Sequence, residues 1–241
     1  MEGRSSILIL TALCLLFACT REKPAEIKKT AAAPAVIVKP KPPLLGEAER
    51  RELGFPRQIV SGVESASGSE AEPFYVAVLV RSENLRGEKG YERKKLAGFS
   101  VRTKKADEIM NSAARSLRRQ GYLLFRSKKN YGKVPDVVTV VKGSNSYDIL
   151  KIQKTEAPNY HLDTKAIIEW LKTMQKNAPF VVIGAGGDSV EAQFIKPPKD
   201  MKAFAKKVAA FAPDTLSHGK GTIEHLVKQM TRSNGFFLVW D

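Results

Sequence analysis

The clearest hydrophobic pattern in the chain lies between residues 106 and 117. Apolar residues recur there at intervals of three and four positions, which is the period of a helix with one buried face. Gly121 follows at the position expected for a helix C-terminus. Further stretches with this period begin directly after Asp163, Asp200 and Thr222, which are residue types that cap helices. These patterns predict amphipathic helices.

Short runs rich in β-branched and aromatic residues predict the strands. The unbroken apolar run at residues 74–80 is typical of a buried strand. Further strands are predicted at residues 122–126, 137–141, 180–183, 190–195 and 236–240. Residues 81–102 are charged and contain glycine, which favours a loop or an irregular hairpin. The segment 184–189 between two strands is rich in glycine and predicts a tight hairpin.

A helix–strand–turn–strand order occurs at residues 104–142 and again at residues 163–196. This order suggests a weak structural duplication, although the residues themselves do not repeat. Hairpins mixed with helices favour an α+β fold, in which helices pack on a mixed or antiparallel sheet. A doubly wound parallel sheet is disfavoured by the same pattern.

The N-terminus has the features of an export signal. After Arg4, residues 7–17 form an apolar run of signal-peptide length that is too short to span a membrane. The run ends in Leu16-Phe17-Ala18-Cys19, which resembles the lipobox of bacterial lipoproteins. The resemblance implies cleavage of residues 1–18 and acylation of Cys19, for example with palmitate. The alternative is an ordinary secretory signal that leaves Cys19 as a free thiol.

Residues 19–54 lack a core-forming pattern and are rich in proline, alanine and lysine. This composition predicts an extended linker, with one helical turn at residues 47–53 before the folded part. A lipid-anchored protein of the cell envelope follows from the signal. Thr20 is not the aspartate typical of inner-membrane retention, which favours the outer membrane if the host has two. The folded part divides into an N-terminal α+β part, 55–145, and a C-terminal domain, 146–241.

The C-terminal half carries a series of ordered short motifs. They include Tyr147-Asp148-Ile149-Leu150, Asn159-Tyr160, Trp170-Leu171, Gly184-Ala185, Pro213-Asp214 and the closing Leu238-Val239-Trp240-Asp241. In order and spacing these motifs resemble the bacterial domain of unknown function 4253 family. This chain has Ala212 where that family tends to have cysteine, and His218 where it tends to have glutamine. The resemblance implies no particular activity.

Charge and cysteine content restrict the possible functions. The chain has 40 Lys and Arg residues against 25 Asp and Glu residues, a formal net charge of +15. Its cysteines are Cys14 and Cys19, so the predicted mature domain has no thiolate for a disulfide, a metal or catalysis. Basic residues cluster at Lys89, Arg93, Lys94, Lys95, Arg102, Lys104, Lys105, Arg115, Arg118 and Arg119.

For an exported protein, this basic surface favours an acidic protein or an anionic envelope polymer as partner, in addition to the membrane reached through the lipid. Nucleic acid is not expected. A solvated basic face without a ligand is the alternative.

Polar and aromatic residues at the ends of predicted elements are the candidates for a shared cleft: Asn159, Tyr160, Asp188, Asp214, His218 and Trp240. Equally, they are residue types that form caps, turns and a lock for the C-terminus. Carboxylates at 188, 191 and 214 are suited to acid–base chemistry. A metal site formed by His161, Asp163, Asp214 and His218 fits no common zinc spacing, so neither a metal nor a cofactor is predicted.

These observations favour a non-catalytic binding or interaction module over an enzyme. Two other interpretations stay open. One is a hydrolase that uses Asp188, Asp214 and His218, and it requires these side chains to converge. The other is a structural protein that holds cell-wall polymer through lysine and arginine contacts, which salt would weaken.

Overall fold

A computed structural model describes residues 43–80, 91–217 and 221–241. The strands in these ranges are β1 Glu72–Val80, β2 Tyr91–Thr103, β3 Tyr122–Lys128, β4 Asp136–Lys142, β5 Phe180–Ala185, β6 Ser189–Phe194 and β7 Gly235–Val239. They form one seven-stranded sheet in the order β1-β2-β4-β3-β5-β6-β7. Neighbouring strands are antiparallel except β3 and β5, which are parallel. The predicted α+β fold with a mixed sheet is confirmed.

Helices surround this sheet. They are α1 Glu47–Leu53, α2 Arg57–Ser67, α3 Ala106–Arg119, α4 Asp148–Gln153, α5 Thr164–Gln175, α6 Met201–Phe211, α7 Asp214–Ser217 and α8 Ile223–Ser233. The predicted N-caps of α5, α6 and α8 are confirmed. Asp163, Asp200 and Thr222 each accept a hydrogen bond from the backbone N–H three residues ahead, at 2.7, 2.8 and 3.2 Å. Each cap satisfies an N–H that the helix itself leaves without a partner.

Both predicted helix–strand–strand units are present, as α3-β3-β4 and α5-β5-β6. The parallel strands β3 and β5 lie side by side at the centre, and β4 and β6 flank them. Leu124 of β3 packs in the core that contains α3, whereas its neighbour Phe125 packs in the core that contains α5. Successive side chains of a strand point to opposite faces, so the two helices cover opposite faces of the sheet. A two-fold rotation axis that runs between β3 and β5, parallel to both strands, would relate α3-β3-β4 to α5-β5-β6.

The two faces carry separate hydrophobic cores. The core of one face is built from α1, α2 and α3 against β2, β3 and β4, and includes Phe55, Phe99 and Ile109. The core of the other face is larger, contains α4, α5, α6 and α8, and includes Ile167 and Phe204. Residues on both sides of the predicted boundary at 145 contribute to this second core, because Leu123 and Phe125 of β3 belong to it.

Of the two alternatives for residues 81–102, a loop or an irregular hairpin, the second holds for the described residues 91–102. They belong to β2, which pairs with β1 as an irregular hairpin that has a bulge at Phe74/Tyr75. Arg93 to Lys95 are all exposed, so this part of β2 has no apolar alternation to signal a strand. The pattern also missed α2, whose buried Val60 and Val63 have helical spacing but are too few to stand out.

Candidate functional site

Several residues predicted to share a cleft meet around the last two residues of the chain. The Tyr160 hydroxyl donates to Asp214 Oδ2 at 2.7 Å, and the Asp241 backbone N–H donates to the same oxygen at 2.9 Å. The Asn159 side-chain amide donates to the Asp241 carbonyl at 3.0 Å. These bonds, which we call the C-terminal lock, hold the chain after β7 against the turn at Pro158–Tyr160 and against α7.

Trp240 is the buried part of the C-terminal lock. Its side chain is 3 % exposed, its indole N–H donates to the Phe211 carbonyl at 3.1 Å, and its backbone N–H donates to the Asp188 carbonyl at 3.0 Å. Asn159, Tyr160, Asp188 and Trp240 all line one open pocket of about 410 Å³. His218 lies outside the described residues.

The predicted carboxylates have different local roles. Asp214 Oδ2 accepts two hydrogen bonds, and the one from Tyr160 raises the pKa of that phenol above its ordinary 10.0. Glu191 is ion-paired with Arg126 and Lys129. Asp188 and Glu191 line a pocket of about 380 Å³ that Asp214 does not line. The three side chains predicted for acid–base chemistry therefore do not share one pocket among the described residues.

A charge network around one buried arginine, which sequence reasoning missed, lies where β3 meets β5. Arg126 is 4 % exposed at its side chain and forms ion pairs with Asp107 of α3, with Asp136 of β4 at 3.1 Å and with Glu191 of β6 at 2.7 Å. Lys129 Nζ lies 2.7 Å from the other oxygen of Glu191. Burial alone lowers the pKa of Arg126, but the surrounding carboxylates outweigh this effect and raise it. We call these five side chains the Arg126 network.

Gly184 makes the junction of β3 and β5 possible. Arg126 and Gly184 are the one residue pair that joins these two strands in parallel register. A Cβ atom on Gly184 would lie 2.9 Å from the Arg126 carbonyl oxygen and 3.2 Å from Glu191 Oε2. A larger residue would therefore push apart the groups that form the Arg126 network. The Gly184–Ser189 segment itself is the predicted tight hairpin, closed by a bond from the Gly186 N–H to the Ser189 carbonyl at 2.9 Å.

Two aromatic rings stand beside the Arg126 network, and both were missed from the sequence. Tyr131 lies in the turn between β3 and β4, is 64 % exposed, and has a left-handed backbone with φ of 51°. Its ring contacts Phe237 of β7 edge-on, with centroids 6.4 Å apart. Lys129, Glu191 and both rings line the 380 Å³ pocket on one side and a more apolar pocket of about 560 Å³ on the other.

Two residues considered in the sequence as possible metal ligands have local structural roles. Asp163 caps α5, and His161 ends the turn at Pro158–Tyr160 in a left-handed conformation. In the ranges that the structure describes, no group of three or more His, Cys, Asp or Glu side chains is arranged to hold a metal ion. In the same ranges, no helix has the length and apolar character needed to cross a bilayer.

A group of exposed basic residues lies at one end of the sheet. β4 pairs with β2 only from Gly98 to Thr103, so residues 75–78 and 93–96 continue as a two-stranded ribbon, which we call the arm. The C-terminus of α3 and the end of β4 lie at the same end, because α3 leads directly into β3 and Tyr122 pairs with Lys142. The exposed cations of this arm end are Arg93, Lys94, Lys95, Arg115, Arg119 and Lys142.

Comparison with known proteins adds one finding. No curated protein sequence matches the chain, and no solved structure matches it. Residues 137–241 match the model of a protein family described as a domain of unknown function (DUF4253), which confirms for this segment the predicted resemblance to that family.

Proposed function

We propose that the protein is a lipid-anchored lipoprotein of the cell envelope whose folded domain is a non-catalytic binding module for an anionic envelope polymer. The anchor in this proposal is acylated Cys19, which lies outside the described residues and is inferred from the sequence alone. The linker after Cys19 holds the domain away from the membrane, where its charged end reaches polymer.

The supporting observation is the arm end. None of its six exposed cations is in an ion pair within the residues that the structure describes. The cations come from β2, α3 and β4, so the sheet holds them in fixed relative positions. A group of like charges that is not neutralised internally attracts an extended polyanion over distances of about 10 Å at 0.1 M salt.

The hydrolase hypothesis has weaker support. It requires Asp188, Asp214 and His218 to converge, but Asp214 is held by Tyr160 and by the backbone of Asp241. An oxygen that accepts these two bonds is well suited to locking the C-terminus. A carboxylate that must exchange protons with a substrate needs free access to it.

The binding proposal is tested with a purified glycerol-phosphate polymer and two triple variants of residues 43–241. Arg93→Glu, Lys94→Glu and Lys95→Glu together reverse the charge of the arm. Lys104→Glu, Lys105→Glu and Lys133→Glu make the same charge change with exposed lysines at the opposite end of the sheet. We expect the arm variant to lose at least about tenfold in affinity by calorimetry, and the control to change far less.

Raising the salt concentration from about 50 to 500 mM should weaken binding by the unmodified domain, because the contacts are between exposed charges. Equal affinities of the two triple variants, or binding that salt does not affect, would contradict the proposal. If the domain binds an acidic protein and does not bind the polymer, the acidic protein is the partner.

The anchor is tested separately in a bacterial host. Metabolic labelling with an alkyne fatty acid should mark the full-length chain, and Cys19→Ala should remove the label and shift the protein from the membrane fraction to the soluble fraction. Cys14→Ala serves as the control and should affect neither result, because residue 14 lies inside the predicted signal peptide. Label that persists in Cys19→Ala would be incompatible with this anchor.

A further inference from the structure

The ammonium group of Lys129 lies at the 380 Å³ pocket beside the Arg126 network. Lys129 Nζ lies 5.3 Å from the ring centre of Phe237 and 6.0 Å from that of Tyr131. Its charge is met by Glu191 at 2.7 Å. Two aromatic rings and a carboxylate around one ammonium group are surroundings that favour an organic cation.

The charges around the pocket are unbalanced in the same sense. Within the Arg126 network two cations face three carboxylates, Asp107, Asp136 and Glu191. The pocket is also lined by Asp188, whose carboxylate has no hydrogen-bond or ion-pair partner in the described ranges. Lys128 is the additional cation that lines it, and its side chain is exposed. The lining itself carries three carboxylates, Asp188, Glu191 and Asp241, and three cations, so it is less basic than the protein as a whole.

Several carboxylates lie close to the phenol of Tyr131. Partial burial raises its pKa above 10.0, and the negative charges of Glu191 and Asp188 raise it further. Asp188 is therefore near enough to this ring to meet the charge of a cation bound against it.

The position of Tyr131 is not explained by core packing. A bulky residue with φ of 51° costs on the order of 1 kcal/mol, and most of this side chain remains in solvent. The strained turn places the ring at right angles to Phe237, and both rings line the pocket. Strain of this kind is typical of positions that serve recognition.

We propose that this pocket binds a small organic cation, a ligand that carries a protonated or methylated amine. The ligand amine is held by Asp188 and by the face of Tyr131, next to the position of Lys129. The rest of the ligand lies along the glycine-containing hairpin at 184–187, which lines the same pocket. This site is at the opposite end of the sheet from the arm and does not depend on the polymer-binding proposal.

The probes are choline, glucosamine and glucose, added to 15N-labelled residues 43–241 and followed by NMR. We expect both amines to shift the backbone amide signals of Ser189 and Phe237 with dissociation constants in the millimolar range, as single cation–aromatic and ionic contacts give. Glucose has the ring and the hydroxyl groups of glucosamine without its charge and should leave these signals unchanged. Shifts by glucose equal to those by glucosamine would overturn the proposal, as would no shift with either amine.

Two variants localise the site. Asp188→Asn removes the unpartnered carboxylate, and Tyr131→Ala removes the aromatic face while leaving the buried core untouched. Each should weaken binding of choline at least about fivefold. Tyr75→Ala is the matched control, because Tyr75 is also an exposed tyrosine but belongs to the arm. Equal affinity of Tyr131→Ala and Tyr75→Ala would refute this location, provided that both spectra show the native dispersion of the parent.

Discussion

The two ends of the sheet differ in how their charged side chains are partnered. At the arm end, cations from β2, α3 and β4 are exposed and are not ion-paired among the described residues. At the pocket end, where α3 begins and β3 and β5 finish, Arg126 is buried among carboxylates and the neighbouring pocket is lined by Asp188 and Glu191. The net charge of +15 does not reveal this difference in partnering.

The comparison shows how similar residue types acquire different roles. An arginine at the arm end is free to meet an external anion, whereas Arg126 is occupied by internal partners and contributes to the fold. The difference comes from burial, because a buried guanidinium must be neutralised within the protein and an exposed one is solvated by water. A basic residue in the sequence therefore indicates a binding surface only when it remains exposed.

The largest effect is expected when the central strand β3 is removed from the sheet that joins the two ends. Residues 137–241, the segment that matches the family model, include β4 and β5 but lack β3, which lies between them. They also lack Leu123 and Phe125, which are buried in the larger core. We expect the isolated segment 137–241 to show no cooperative thermal unfolding and poor NMR dispersion, because a sheet with its central strand missing cannot close this core.

Residues 104–241 restore α3 and β3 and serve as the matched comparison, with residues 43–241 as the reference. Cooperative unfolding should return in the segment 104–241, with a lower midpoint than the reference because α1, α2, β1 and β2 are absent. A monomeric segment 137–241 that unfolds cooperatively by itself would mean that β3 is dispensable and that the two ends are separate units.

The second effect contrasts arginines from the two ends. Arg126→Met removes the cation from three carboxylates and should lower the free energy of unfolding by about 3–5 kcal/mol. Arg115→Met, on the exposed face of α3 at the arm end, should change it by less than about 0.5 kcal/mol. Urea unfolding followed by tryptophan fluorescence measures both. Similar decreases in the free energy of unfolding for the two variants would contradict the proposed difference between the ends.

The smallest effect is a pH dependence at the C-terminal lock. The hydrogen bond to Asp214 raises the pKa of Tyr160 above 10.0 in the folded protein. The stabilising contribution of this bond is therefore complete below pH 10, and it is lost as the pH rises through the raised pKa of the folded protein. The difference in unfolding free energy between the parent and Tyr160→Phe should therefore be constant at neutral pH and shrink above pH 10. Asp214→Asn removes the carboxylate that raises the Tyr160 pKa, so in this background the free-energy difference should no longer depend on pH. If the difference between the parent and Tyr160→Phe stays constant up to pH 11, the C-terminal lock does not cause a pH dependence of stability.

Local signals predicted most of the fold. The caps at Asp163, Asp200 and Thr222 were visible because each precedes an apolar helical period and acts on a backbone N–H three residues away. The ribbon at residues 93–96 was predicted only as a loop or an irregular hairpin, because a strand without a third neighbour needs no buried face and so shows no apolar alternation. The family motifs at Asn159, Tyr160 and Trp240 pointed to a region where residues meet, and the structure adds which bonds they form.

The Arg126 network could not be predicted from the sequence. Its ionic partners are 19 and 65 positions away for Asp107 and Glu191, and no local period marks such pairs. Tyr131 and Phe237 are further apart along the chain and meet only because the β3–β4 turn lies beside β7. Pairings of this kind depend on strand order, which local propensity does not determine.

The single residue pair between β3 and β5 has a consequence for how the molecule opens. The other strand junctions are ladders of at least five residue pairs, whereas this seam is held by the Arg126–Gly184 pair, by side chains and by the covering helices. In native-state hydrogen exchange, the amides of the two hairpins β3–β4 and β5–β6 should then exchange as two separate cooperative groups. The seam is where the protein would part first under a mechanical load applied across the sheet.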